Sequence, residues 1–136
     1  MTNKFYKNEE GFSLTELLVA LVIIGILVLL ALPRLMPIVN KAKATEAKLN
    51  LKQVYMLQKA YKFERDTYSD NLARIGFEQE KLVTDGGTAR YKITIRESSV
   101  KNFIAEAKAV VDFDDDGTFN TWVVGEDGII TEETPD

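Results

Sequence analysis

Between Phe12 and Leu32 the chain carries one ionisable group, Glu16, in an otherwise apolar run. At about 1.5 Å rise per residue, a helix over that run is roughly 31 Å long, the thickness of a bilayer's hydrocarbon core. Such a segment must lie in lipid or be wrapped by other apolar helices, because water offers it nothing. A cleaved secretory signal is the nearest rival, but its apolar core runs to about 7 to 15 residues and ends in a small-residue site such as Ala-x-Ala. Here the run is longer, and Ala31-Leu32-Pro33 is a poor site.

Three features interrupt the run's uniformity. Glu16 sits about one turn into the expected helix, where a carboxylate costs about 2 to 3 kcal/mol at depth unless it is protonated, paired or near the interface. It either snorkels to the headgroups or awaits a cation from another molecule. Pro33 and Pro37 each remove a backbone donor, freeing the carbonyls of Leu29 and Pro33, so a kink or local opening is expected there. Gly25 is either a second weak point or a place where two helices pack closely.

The remainder is polar and strongly asymmetric in charge. Arg34 to Arg65 holds eight basic residues against Glu46 and Glu64, whereas Asp112 to Asp136 holds nine acidic residues and no basic one. The two ends can neutralise each other within the chain or, in an array, between copies. A nucleic-acid role for the basic stretch is not predicted. Cysteine and histidine are both absent, which excludes disulfides, thiolate sites and the commonest general base. No nucleophile, base and orienting group come together in the sequence, so no enzyme is expected.

From Lys41 to Arg65, Ala47, Leu51, Val54, Leu57 and Tyr61 recur at helical spacing and predict one core-facing stripe. Joined to the apolar run, this gives a helix of roughly 50 residues, its front half (12–33) in a membrane or bundle and its amphipathic rear half (38–65) on a head spanning 34–136. Residues 66–90 read as a long connection tucked down by Tyr68, Ile75 and Phe77. Alternation in Tyr91-Lys92-Ile93-Thr94-Ile95 and over Asn102–Val111 predicts strands. Thr121–Val124 and Ile129–Thr131 flank an Asp127-Gly128 hairpin turn. The expected fold is therefore α+β: a long N-terminal helix packed on a small antiparallel sheet over 91–131, with Trp122 in the core.

Asp112-Phe113-Asp114-Asp115-Asp116-Gly117 resembles the opening of a calcium loop, with ligands at the first, third and fifth places and glycine at the sixth. The twelfth place, which needs a bidentate Glu, is Val123. Asp112, Asp114 and Asp116 are candidate calcium ligands; the alternative is a solvated acidic turn facing basic residues of a neighbour, with no cofactor.

At the N-terminus, Gly11-Phe12-Ser13-Leu14-Thr15-Glu16-Leu17-Leu18-Val19-Ala20-Leu21 resembles the class III signal of type IV pilins and type II secretion pseudopilins. It combines a short leader ending in Gly, an aromatic after it, a Glu five residues into the mature chain and an unbroken apolar stretch up to Pro33. More loosely, Glu46–Leu51, Gln58–Tyr61 and Asp66–Ser69 resemble the helix and following loop of bacterial major pilins. The resemblance implies a pilin-like fold and removal of residues 1 to 11 by a prepilin peptidase cutting between Gly11 and Phe12 on the cytoplasmic side. It further implies N-methylation of Phe12, contact of Glu16 with the Phe12 amine of an adjacent subunit, and unwinding around Gly25 to Pro33 in the fibre. Basic residues on both sides of the apolar run do not set its orientation. The resemblance places the chain in the inner membrane with its head in the periplasm, and then in a periplasmic or extracellular homopolymer built by an assembly platform and a cytoplasmic ATPase. The implied function is a structural subunit of a type IV pilus-like filament; a major pseudopilin of a type II secretion system is the alternative, followed by a non-polymerising membrane protein with a small binding head. Pilins with cysteines staple their last loop by a disulfide, so here something else must hold that end.

Overall fold

The computed structural model describes residues 11–135, apart from the side chains of 33–37. Of the expected leader, all but Gly11 lies outside the described residues. The chain divides into two compact units, Met1–Pro37 and Ile38–Asp136. One helix, α1 (Leu14–Arg65, 52 residues), supplies residues to both. The expected opening at Pro33 does not appear as a break, because α1 runs through Pro33 and Pro37. Each proline forfeits one hydrogen bond at about 3 kcal/mol, and the intact turns on either side carry the helix past it.

In the second unit, β1 (Tyr91–Ser98), β2 (Phe103–Ala109), β3 (Thr121–Gly125) and β4 (Ile130–Thr134) form an antiparallel meander in the order β1-β2-β3-β4. The alternation that predicted the strands sets the register: Tyr91, Ile93, Phe103, Ala105, Ala107, Ala109, Trp122 and Val124 are buried, while Lys92 and Lys108 stand exposed on the other face. The β3–β4 hairpin closes where Asp-Gly predicted it. Gly128 adopts φ 74°, and its N–H donates to the Gly125 carbonyl at 3.1 Å. A left-handed residue at that place favours glycine. The last strand reaches Thr134, three residues past the expected limit.

The rear of α1 buries Ala44, Ala47, Leu51, Val54 and Gln58 against this sheet, a stripe at alternating spacings of three and four. Leu57 and Tyr61, expected in the core, are only partly covered. Buried side chains such as Leu51, Val54 and Phe103 contribute about 1.5–3 kcal/mol each, so the head closes around its own residues. The connection after α1 is held down as its apolar residues suggest, with Tyr68, Ile75 and Phe77 buried. It also contains two short 3-10 turns, Ala73–Ile75 and Val83–Asp85.

Polar side chains complete what the apolar core cannot. Gln58, fully buried at the end of the stripe, accepts from the Ser69 N–H (2.9 Å) and donates to the Ser69 carbonyl (2.7 Å), pinning the connection to α1 as a strand partner would. Along the outer edge of β1, Glu46 accepts from the N–H groups of Arg90 and Tyr91. Gln79 accepts from Ile93 N–H and donates to the Tyr91 carbonyl. At the cysteine-free C-terminal end, Asn120 is the tie. Its Oδ1 accepts from the Tyr91 hydroxyl (2.7 Å) and the Trp122 indole (2.6 Å), and its Nδ2 donates to Glu132 and to the Thr134 carbonyl.

Replacing Gln58 strips two partners from a buried backbone position, and each unsatisfied group costs about 1–3 kcal/mol. Gln58→Ala is therefore expected to destabilise the head by about 3 kcal/mol, read as a lowered denaturation midpoint of the full-length chain in detergent. An unchanged midpoint would show that the connection is held by its apolar residues alone.

Candidate functional site

The start of α1 concentrates the predicted functional residues. Gly11, Phe12 and Ser13 precede the helix, and Phe12 is 84% exposed. Helix initiation leaves the first backbone N–H groups without partners, and here Ser13 and Glu16 satisfy two of them reciprocally. The Ser13 N–H donates to Glu16 Oε2 at 2.7 Å, while the Glu16 N–H donates to Ser13 Oγ at 3.3 Å. This is a capping box, and its Ser-x-x-Glu spacing was open to view in Ser13-Leu14-Thr15-Glu16. Ser13 is thus a functional residue that the sequence reading missed.

Among the described residues the Glu16 carboxylate is paired with no cation; it is engaged with a backbone donor next to Phe12. Beyond it, Glu16 shares a shallow groove with Thr15, Val19, Ala20 and Ile23. Leu14–Leu32 is long and apolar enough to cross a membrane, and none of it is buried within the chain. A Cβ placed on Gly25 meets nothing within 4 Å. Among the described residues, none makes use of that glycine's small size.

The acidic loop between β2 and β3 brings its three aspartates together: carboxylate oxygens of Asp112, Asp114 and Asp116 lie within 4.8 Å of one another. Asp112 organises the turn. Its Oδ1 accepts from the N–H of Asp115 (2.8 Å) and Asp114 (3.3 Å), and its Oδ2 from that of Gly117 (2.7 Å). Desolvation opposes ionisation of Asp112, but the N–H groups of Gly117, Asp114, Asp115 and Asp116 outweigh it and hold the carboxyl below its usual range. Asp116 accepts from Thr118 N–H. The residues fit the first, third and fifth ligand places of a calcium loop. The twelfth is Val123, within β3, so three aspartates stand against the six to eight oxygens that calcium takes. The turn is closed by its own backbone donors.

Residues 6–32 match the model of the prokaryotic N-terminal methylation motif. The chain is 40% identical over 79 residues to the type IV major pilin protein PilA of Myxococcus xanthus, covering 58% of this chain and 36% of that protein. It is 36% identical over 62 residues to the type II secretion system core protein G of Pseudomonas aeruginosa, covering 46% of this chain and 44% of that protein. The matched regions thus span less than half the length of each relative. With the apolar opening of α1 and the helix-on-sheet head, these matches make the chain similar, over its N-terminal part, to type IV pilins and type II secretion pseudopilins.

Proposed function

We propose that the chain is a structural subunit of a type IV pilus-like filament, without chemistry of its own. One observation carries this reading: Leu14–Leu32 is apolar and wholly uncovered in a chain whose head core closes without it. Lipid covers such a helix before assembly, and helices of other copies cover it afterwards. In this reading a prepilin peptidase removes residues 1 to 11 between Gly11 and Phe12, and Phe12 is then N-methylated. The head lies in the periplasm, and an inner-membrane platform with a cytoplasmic ATPase drives growth of the homopolymer.

Glu16 acts in register. Opposite charges in a low-dielectric bundle attract far more strongly than in water, so the carboxylate gains by exchanging its Ser13 N–H for the Phe12 ammonium of a neighbour. The capping box keeps Glu16 satisfied until that exchange, which removes the cost of an unpartnered carboxylate in the free subunit. Unwinding between Gly25 and Pro33 belongs to the same assembled state, where freed carbonyls find other partners.

A second reading, a major pseudopilin of a type II secretion system, is favoured by the match to a type II secretion core protein. Microscopy separates the two: long surface fibres lost on deletion support the pilus, and short periplasmic assemblies with a secretion defect support the pseudopilus.

The mass of the native protein tests processing. A chain beginning at methylated Phe12 is expected, and Gly11→Arg should preserve the uncut form. An intact leader in assembled wild-type protein would overturn the reading in favour of a non-polymerising membrane protein. Glu16→Ala should leave the cut at Gly11 in place and lower fibre yield by about tenfold or more, equivalent to ~1.4 kcal/mol per contact; normal yield would remove the pairing role. The acidic loop is proposed to work without a resident metal. Millimolar calcium should accordingly leave the melting temperature of the full-length chain unchanged, whereas a rise that grows with concentration would assign Asp112, Asp114 and Asp116 as a calcium site.

A further inference from the structure

The rear part of α1 has a second apolar face. Opposite the buried stripe, Ile38, Ala42, Leu49, Met56, Ala60 and Phe63 fall on one line of the helix and all face solvent. Leu49 is 64% exposed, Met56 56% and Phe63 91%. Leu49, Met56 and Phe63 repeat every seven residues; Ala60 lies between the last two, and Lys52 and Gln53 between the first two. The row runs about 38 Å along the helix. An exposed apolar row of this kind on the head marks an interaction site. Exposed Lys41 and Lys52 border it.

The charges show what covers it. Among the described residues no lysine forms an ion pair, and neither do Asp112, Asp114, Asp115 and Asp116; the ion pairs present join Arg74, Arg90 and Arg96 to other carboxylates. Lys43 lies over the Phe113 ring of the loop at 4.2 Å, but no ion pair joins the basic helix to the aspartates among the described residues, and Lys41 and Lys52 are left for another partner. The loop is also flanked by exposed apolar residues, Val111 and Phe119. Each surface thus offers what the other lacks: apolar side chains bordered by ammonium groups on one, apolar side chains bordered by carboxylates on the other.

We infer that the Ile38–Phe63 ridge of one copy receives the Asp112–Asp116 loop of a second copy, with Val111 and Phe119 set against the ridge and the aspartates against Lys41 and Lys52. The contact joins two different surfaces, so it can repeat from copy to copy rather than only pairing two copies, as a fibre requires. It rests on the filament reading for its partner, and it adds a head-to-head contact separate from the apolar front of α1.

The chain has no cysteine, which makes disulfide trapping clean. In the full-length chain in its own host, Met56→Cys combined with Asp115→Cys is expected to give a ladder of disulfide-linked oligomers under mild oxidation, while either change alone gives none. Lys52→Glu should abolish the ladder, and Asp114→Lys added to it should restore the ladder. Dimers from Met56→Cys alone would show the ridge pairing with itself, and a ladder from Met56→Cys with Val22→Cys would show it covered by the front of another α1; either overturns the inference. Fibre yield, measured separately by sedimentation, separates this inference from the filament reading. Fibres without the ladder sink the contact alone, a ladder without fibres sinks the filament alone, and absence of both sinks both.

Discussion

The structure depends on how α1 divides its surface. Over Ala44 to Gln58 a narrow stripe locks onto the sheet, and that packing is sufficient to close a core around Phe103, Tyr91 and Trp122. The head core is made of its own residues, and among the described residues none of Leu14–Leu32 is buried. Hydrophobic burial is non-directional and scales with apolar area removed from water, so a bare apolar helix of this length must be covered by something outside the chain. In the proposed filament, membrane insertion and polymerisation are two ways of meeting the same demand, and a subunit that moves from one to the other never has to face water.

The head is small, and polar ties supplement its core. Gln58, Glu46, Gln79 and Asn120 each satisfy backbone or side-chain groups that would otherwise be left at an edge or in the interior. Buried polar groups are costly only when unpaired, and once paired they fix one arrangement where apolar contacts tolerate several. Asn120 is the telling case. It binds Tyr91 from β1, Trp122 from β3 and the Thr134 carbonyl at the end of β4, holding the C-terminal end where a disulfide is chemically impossible. On the outer face Arg96 joins Glu106 of β2 to Glu133 of β4, and its hydrogen bonds hold the Glu133 carboxyl below its usual range.

The sequence made the periodic parts legible. Alternation at Tyr91-Ile93-Ile95 and the Asp127-Gly128 turn gave strands and a hairpin, because a half-buried strand repeats every two residues and a tight turn demands a left-handed residue. The rear stripe of α1 was legible up to Val54. Beyond it Leu57 and Tyr61 pack against the core only partly buried, and the fully buried position is Gln58, which a reading of apolar residues passes over because its burial depends on the Ser69 backbone arriving from a distant loop. Glu46, Gln79 and Asn120 were hidden for the same reason: tertiary contact creates their partners. Ser13 is different. Its pairing with Glu16 is local, and the rarity of a carboxylate in an apolar run drew attention from the common motif that also contains it.

Charge asymmetry in a sequence says only that opposite charges are available, not where they are spent. Here the acidic carboxylates that find cationic partners within the chain, Glu46, Asp70, Glu106 and Glu133, do so with arginines. Arginine's planar fork suits fixed geometry; Arg90 and Arg96 tie separate elements together, while Arg74–Asp70 is a local surface pair. Among the described residues no lysine and no aspartate of the Asp112–Asp116 loop joins an ion pair, although Lys59 and Lys62 donate hydrogen bonds and Lys43 and Lys48 lie over the rings of Phe113 and Trp122. Ammonium groups on flexible stems exact little from a free subunit in water and gain when a neighbour's carboxylates approach across apolar contacts. The arginines take the ion pairs within the head, and exposed lysines such as Lys41 and Lys52 are left available to a neighbour.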